Sequence, residues 1–507
     1  MALYMQNEEL TTVFEPLTAK NEFINAKTNG DPLVSYKDAK DRLPKPIWEG
    51  HESHVKCYDK AWEIAFSNLS LPPENSGFVS SFIDTAFNGC LFMWDSSFIL
   101  MFAKYADRIF KFQKTLDNMY SHQHSDGFIC REIEEKSGGD RFTKHDPSST
   151  GPNILAWSEW EYYLNFSDKE RLKKVFYPLL AFHRWMKKNR TWRDGSYFAS
   201  GWGCGIDNLP RLEPQYHRCF DHGHMVWLDT CMQMFLNCKI LIKMARELSL
   251  EEFIPELSEE RDHLESVIND TLWDEKDGFY YDRYRDGRLN GVRHIGAFWA
   301  LIGECASKER AERMISRLVD EKEFDTPFPI PALTRSHPDY SDDGGYWRGG
   351  VWAPTNYMVL KGLDNYGHSS LAHKIAKKHL DAVVEVFERE DTLFENYAPE
   401  RFDGKFREGN PAKRDFVGWT GLSPIAILFE YVFGIKPFAA ENKIVWNVEL
   451  LERHGALKYP FGNLGELSLI CEARKDKNEE PKVEIRSNIP VEIEILWGDD
   501  NKKTVRA

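Results

Sequence analysis

The chain has 507 residues, 42% of them hydrophobic and 14% aromatic with 16 Trp, so it can bury a large core and is not a disordered polymer. Its formal net charge of −15 and pI near 5.6 argue against nucleic acid and against an anionic membrane surface as partners. No apolar run reaches the ~18 residues of a membrane span, no basic-then-apolar leader opens the chain, and the nine Cys are dispersed without a CxxC pair, which together lead us to expect a cytoplasmic protein with reduced thiols.

Residues 1–50 are polar and end in the Pro-rich "LPKPIWEGH", read as an N-terminal extension. From 51 to 436 the texture is helical. Stretches such as "HVKCYDKAWEIAFSNL", "SSFILMFAKYADRIFKFQKTLDNMY", "ERLKKVFYPLLAFHRWMKKN", "RHIGAFWALIGECA" and "TGLSPIAILFEYVFG" place apolar residues at i, i+3, i+4 and i+7. Several are apolar on two sides, which predicts inner helices screened by outer ones. Asp-Gly turns recur in "SDGFI" (125–129), "RDGSYF" (193–198) and "KDGFYY" (276–281), each expected to open a short extended return. About a dozen such helices pair into about six hairpins, and a closed ring of hairpins buries two-sided helices more economically than an open solenoid. The expected fold is therefore mainly α, an (α/α)6 barrel. From 437 to 507 the pattern changes to period-two alternation in "LSLICEAR", "PKVEIRS" and "PVEIEILWG", expected to form a small antiparallel β appendage.

The unusual residues sit in the predicted loops. "FMWDSSF" (92–98) puts Trp94 and Asp95 at a helix start, where Asp95 reads equally as an N-cap. In "SYFASGWGCGIDNLPR" (196–211) Gly201, Gly203 and Gly205 leave a bare backbone around Asp207, with Trp202, Asn208 and Arg211 close by. A carboxyl among Gly, Trp and Ile is poorly hydrated, which raises its pKa and favours the acid form. "YWRGGVWAPTNY" (346–357) crowds Tyr346, Trp347, Arg348 and Trp352 ahead of a Pro-initiated helix, and flat aromatic faces with a guanidinium fork suit a sugar ring and its hydroxyls. "TLFENYAPERFDG" (392–404) presents Glu395 and Tyr397 between Pro and Gly, and "DFVGWTGLSP" (415–424) brings Trp419 to another helix start. Two loop carboxylates suffice for glycosidic hydrolysis: one acid to protonate the leaving oxygen and one carboxylate to act on water or attack. Gln123 of "HQH" is a further candidate sugar contact. His122 and His124 are two apart with no third ligand nearby, so they read as a turn and no metal is expected. Phosphate loops, GxGxxG before a strand and GxSxG are all missing from the sequence, so no cofactor is expected.

These motifs resemble, in order, those of the trehalase-like α/α-barrel glycosidases, and specifically glycoside hydrolase family 63. "GIDNLPR" is similar to the family's general-acid segment, which implies that role for Asp207, and "FENY" is similar to its general-base segment, implying it for Glu395. By the same resemblance Trp94, Asp95, Tyr346, Trp347, Arg348, Trp352 and Trp419 are sugar contacts. "SGWGCGIDN" is longer than the family's usual Ser-Gly-Met-Asp-Asn, with Ile in place of Met. The resemblance covers about residues 45–435. It implies an exo-acting, inverting α-glycosidase of the α-glucosidase or glycosylglycerate hydrolase type, acting on a small carbohydrate, and it leaves room for a homo-oligomer. Two rivals stand beside it: a polysaccharide lyase on the same toroid, using His122, Tyr397 and Arg348, and a non-catalytic sugar-binding protein.

Overall fold

A computed structural model of the chain describes residues 14–85, 88–400, 412–416 and 418–507. The helix Met93–Ala103 has Asp95 as its one charged residue and all of its side chains are buried. It has no polar face to turn to water, so it must lie inside. Leu228–Leu248, Ala353–Asn365 and the π-helical Ser423–Val432 are similarly buried on most sides. By contrast Ile254–Thr271 buries only Leu257, Glu260, Leu264, Val267 and Ile268, one stripe at helical spacing, as an outer helix should.

The inner segments form a circuit. Met93–Ala103 packs on Leu155–Phe166, and that on Leu228–Leu248; Trp299–Gly303, Ala353–Asn365 and Ser423–Val432 follow, the last returning to Met93–Ala103. Glu52–Ser67, Lys169–Asn189, Ile254–Thr271 and Ser369–Glu390 pack outside it. The helical period of 96–120 is right but its continuity is not. The chain leaves the helix after Ala103, the Asp107 carboxylate accepts the Gln113 amide at 3.2 Å, and helix resumes at Thr115–Ser121. The Asp-Gly turn at 276–281 closes a hairpin of Trp273–Asp274 with Phe279–Tyr280.

The C-terminal strands make two four-stranded sheets. In one, Lys45–Trp48 lies at the edge of His454–Phe461, Gly465–Cys471 and Val483–Ser487, all antiparallel. The Pro-rich lead-in is thus an edge strand, where Pro46 is tolerated, and part of the expected N-terminal extension belongs to the C-terminal sheet. In the other, Glu492–Trp497 runs antiparallel to Asn501–Arg506 but parallel to Lys443–Asn447, which pairs with Ile435–Phe438. That parallel pair corrects the wholly antiparallel expectation; the chain builds most of the first sheet between the two strands, a crossover long enough to permit it.

At one end of the circuit the inner helices begin, and their loops gather the aromatic residues. At the other, buried ions are paired. Lys104 lies 2.9 Å from Glu430 and 3.6 Å from Glu161, while Lys361 lies 2.8 Å from Glu161 and 3.1 Å from Glu430.

Candidate active site

Loops at the helix starts enclose a cavity of about 600 Å³, lined among others by Trp94, Asp95, Trp202, Gly205, Asp207, Asn208, Tyr346, Trp347, Glu395 and Trp419. Four segments build it. The strand Cys90–Phe92 pairs with Glu132–Glu134 and runs directly into the helix whose first turn carries Trp94 and Asp95. Ser200 caps the short helix Gly201–Cys204 by accepting the Gly203 amide at 3.0 Å, and Gly205 ends it in a left-handed conformation with φ of 76°. A Cβ on Gly205 would sit 3.1 Å from the Trp94 indole, so the bare backbone lets the acid loop lie against that ring. Asn208 joins this loop to the third segment, donating to the Gly345 carbonyl at 3.0 Å and accepting the Trp347 amide at 2.9 Å. There the Trp347 and Trp352 rings stack at 3.9 Å and 5°. In the fourth, Glu395 is buried; its amide donates to the Lys413 carbonyl at 3.0 Å and its own carbonyl accepts Trp419 Nε1 at 2.9 Å.

The lining is acidic. Burial, then the charges of Glu395 and Glu132, push the Asp95 carboxyl well above the usual range, against a smaller opposing pull from Arg131. Asp95 is thereby pushed towards its neutral form, in which it can donate a hydrogen bond. Trp94 and Trp347 line the same space with buried indole N–H groups that lack hydrogen-bond partners among the described residues, donors that a hydroxyl oxygen would satisfy.

Several expected contacts lie elsewhere. Gln123 is built into the scaffold: its amide nitrogen donates to the Gly127 and Pro178 carbonyls at 3.0 and 2.8 Å, and its oxygen accepts from Asn21 at 2.9 Å. Arg211 is fully buried, bridging Asp229 at 2.6 Å and Asp282 at 2.5 Å with its guanidinium over Trp227. Each has its polar groups engaged by protein partners outside the lining, and neither lines the cavity. Trp352 stands behind Trp347, Tyr397 is packed on Phe328 at 4.9 Å, and Arg348 is absent from the lining. His122 bonds the Asn118 and Ser76 carbonyls at 2.7 and 2.8 Å, so the three residues a uronate lyase would use do not meet in the cavity. Sequence reasoning missed Arg131, Glu132, Arg141, Phe142 and Cys219, all in the lining. The Arg131 guanidinium lies over Phe142 and Trp202 at 4.9 and 5.4 Å. The segment 401–411 and Val417, which fall within two of the motifs, lie outside the described residues.

Over residues 91–416 the chain matches a family described as the mannosylglycerate hydrolase MGH1-like glycoside hydrolase domain. It is 25% identical over 367 residues to an uncharacterized protein of Borreliella burgdorferi, covering 71% of this chain and 74% of that one. With the mannosyl-oligosaccharide glucosidase of Saccharomyces cerevisiae it shares 23% identity over 300 residues, 50% of this chain and 34% of the yeast protein, so it spans about a third of that relative's length. A crystal structure of a glycoside hydrolase family 63 mannosylglycerate hydrolase from Thermus thermophilus, in complex with glucose, superposes with a TM-score of 0.58 at 22% identity, covering 73% of this chain and 99% of that one.

Proposed function

We propose a particular reaction for this chain on the premise that it belongs to the mannosylglycerate hydrolase MGH1-like glycoside hydrolase family, whose profile matches 91–416. As a member it is a glycoside hydrolase, and neither the lyase nor the non-catalytic reading has support. The reaction we assign is exo hydrolysis with inversion, α-glucosidase-like, releasing a terminal sugar from an α-linked oligosaccharide or a glycosylglycerate. Asp207 protonates the leaving oxygen and Glu395 takes a proton from the attacking water. The observation that carries this is that two loops distant in the chain bring Asp207 and Glu395 into the lining of one cavity.

The remaining lining fits a sugar. Trp347 offers a ring backed by Trp352, the indole N–H groups of Trp94 and Trp347 offer donors to hydroxyl oxygens, and Asp95, pushed towards its acid form, offers another. We read the circuit of inner helices as the six-hairpin (α/α)6 barrel with the cavity at one end. We place the protein in the cytoplasm, which suits its nine unpaired cysteines; no helix among the described residues is long and apolar enough to cross a membrane.

The test is a panel of α-glucosyl and α-mannosyl disaccharides and glycosylglycerates, with the first-formed anomer read by proton NMR. The expected result is a β-sugar from an α-linked substrate. An α-sugar appearing first would mean retention and a nucleophilic Glu395, and release from none of the panel would remove the substrate class.

A further inference from the structure

Away from the cavity, between an inner helix and two outer ones, three buried side chains meet that no sequence spacing connects. His183 comes from Lys169–Asn189, Cys238 from Leu228–Leu248 and Glu260 from Ile254–Thr271. Their ligand atoms all lie within 4.8 Å of one another. His183 Nε2 is 3.1 Å from Glu260 Oε2 and 3.7 Å from Cys238 Sγ. A tetrahedral zinc ion, with bonds of about 2.0–2.3 Å to N, O and S, spaces such atoms roughly 3.4–3.6 Å apart. The three are therefore nearly in place for a metal without any backbone movement. We propose that His183, Cys238 and Glu260 form a structural zinc site that ties the outer helices to the inner one.

A second observation points the same way. Asn237 lies 2.8 Å from His183 Nδ1 through its amide nitrogen, while its Oδ1 is buried without a hydrogen-bond partner. In that arrangement Nδ1 accepts, so the imidazole proton is on Nε2 and is donated to Glu260. On metal binding that proton moves to Nδ1 and the Asn237 amide turns over, so that Oδ1 accepts it while Nδ2 takes the unpartnered position, orienting the ring as partners of ligating histidines do. The Cys238 thiol releases its proton to solvent. Thiolate, carboxylate, neutral imidazole and a divalent ion then sum to zero charge, the state a buried site tolerates.

Neutrality is now supplied by Lys187, whose Nζ is 3.1 Å from Glu260 Oε2 on a half-exposed side chain. It can swing outward, and water entering from solvent in its place completes the tetrahedral shell. Tyr197 donates its hydroxyl to the other oxygen of Glu260 and fixes the carboxylate's rotation.

The experiment is to dialyse the protein against EDTA and then titrate it with Zn²⁺, and in parallel with Co²⁺ as a spectroscopic probe. The expected result is one zinc retained per chain, one proton released on binding, a raised Tm and a thiolate-to-cobalt charge-transfer band that Cys238→Ser abolishes. Lys187→Met, which removes the competing cation, should bind zinc about tenfold more tightly. A simple buried His–Glu pair predicts the reverse, a destabilised Lys187→Met variant with no metal uptake. No retained zinc in either the wild type or Lys187→Met overturns the proposal even if Cys238→Ser fails to fold, and so does an undiminished cobalt band in a folded Cys238→Ser variant.

Discussion

Asn208, next to Asp207, clips the acid-bearing loop to the loop of Tyr346 and Trp347 through the Gly345 carbonyl and the Trp347 amide. A change there moves a wall of the pocket without removing a reacting group. Asn208→Ala is expected to lower kcat/KM by about 10–100-fold while stability falls by only about 1–2 kcal/mol, the scale of two lost hydrogen bonds; steady-state kinetics beside a urea melt check it, and unchanged kcat/KM would remove the clip from the mechanism. Trp347 differs. It is 1% exposed and stacked on Trp352, so it belongs to the core as well as to the loop, and Trp347→Ala should cost about 3–5 kcal/mol along with substrate capture. At the two carboxylates the roles separate by leaving group. Asp207→Ala should recover with glycosyl fluorides, whose departure needs little proton donation, whereas Glu395→Ala should stay inactive with them because water still lacks its base. Fluoride rescue of the Glu395 variant alone would reverse the assignment.

Short elements govern how those residues are held. Gly205 ends its helix in the left-handed region against Trp94, so Gly205→Ala strains the backbone by about 1–2 kcal/mol and presses a methyl on the indole. Its activity should fall further than its stability, read as specific activity per folded molecule; a loss of stability alone would mean that the ring's position is immaterial. The lining of the candidate cavity was partly legible because its loops advertise themselves locally: Gly, Trp and Pro cluster around Asp207, and Trp347 precedes a Pro-initiated helix. What was not legible depends on distant partners. Arg211 follows Asp207 in the same run, yet its charge is committed to Asp229 and Asp282. Arg131 and Glu132 reach the cavity because Glu132–Glu134 pairs with Cys90–Phe92, a pairing no local motif announces. Helical period located the inner segments, but the break after Ala103 depends on the Asp107 carboxylate finding a backbone amide beyond it.

The whole molecule carries charge inside at several depths, and this sets its response to acid. Burial holds His379 down to about 3 and, against a weaker pull from the Glu452 carbonyl, His454 down to about 4. Both values lie below the ~6.5 of an unfolded histidine, so between the two limits the unfolded chain binds protons that the folded one refuses. Stability therefore falls as pH drops from about 6.5 towards 4, by roughly 1.4 kcal/mol per pH unit for each such residue. Glu430 acts in the same direction, losing stability as pH falls, but in a lower window. Burial alone would raise its pKa, but Lys104, Lys361 and the Tyr357 hydroxyl hold it down to about 2, so its stabilisation is complete above the unfolded carboxylate range and is lost only below it. Acid unfolding should then proceed in two stages, histidines first. In a series of melts, Tm of the wild type is expected to fall between pH 6.5 and 4.5, and a His379→Asn, His454→Asn double variant, though less stable at pH 7, should show a flatter line over that range. Glu430→Gln should instead lower stability by about 3–5 kcal/mol at neutral pH, because it leaves two lysines under-compensated in the interior. A wild-type Tm constant from pH 7 to 4.5 would mean that these imidazoles are hydrated or rearrange on protonation. Brief incubation at each pH followed by assay at pH 7 separates this unfolding from any reversible pH dependence of turnover.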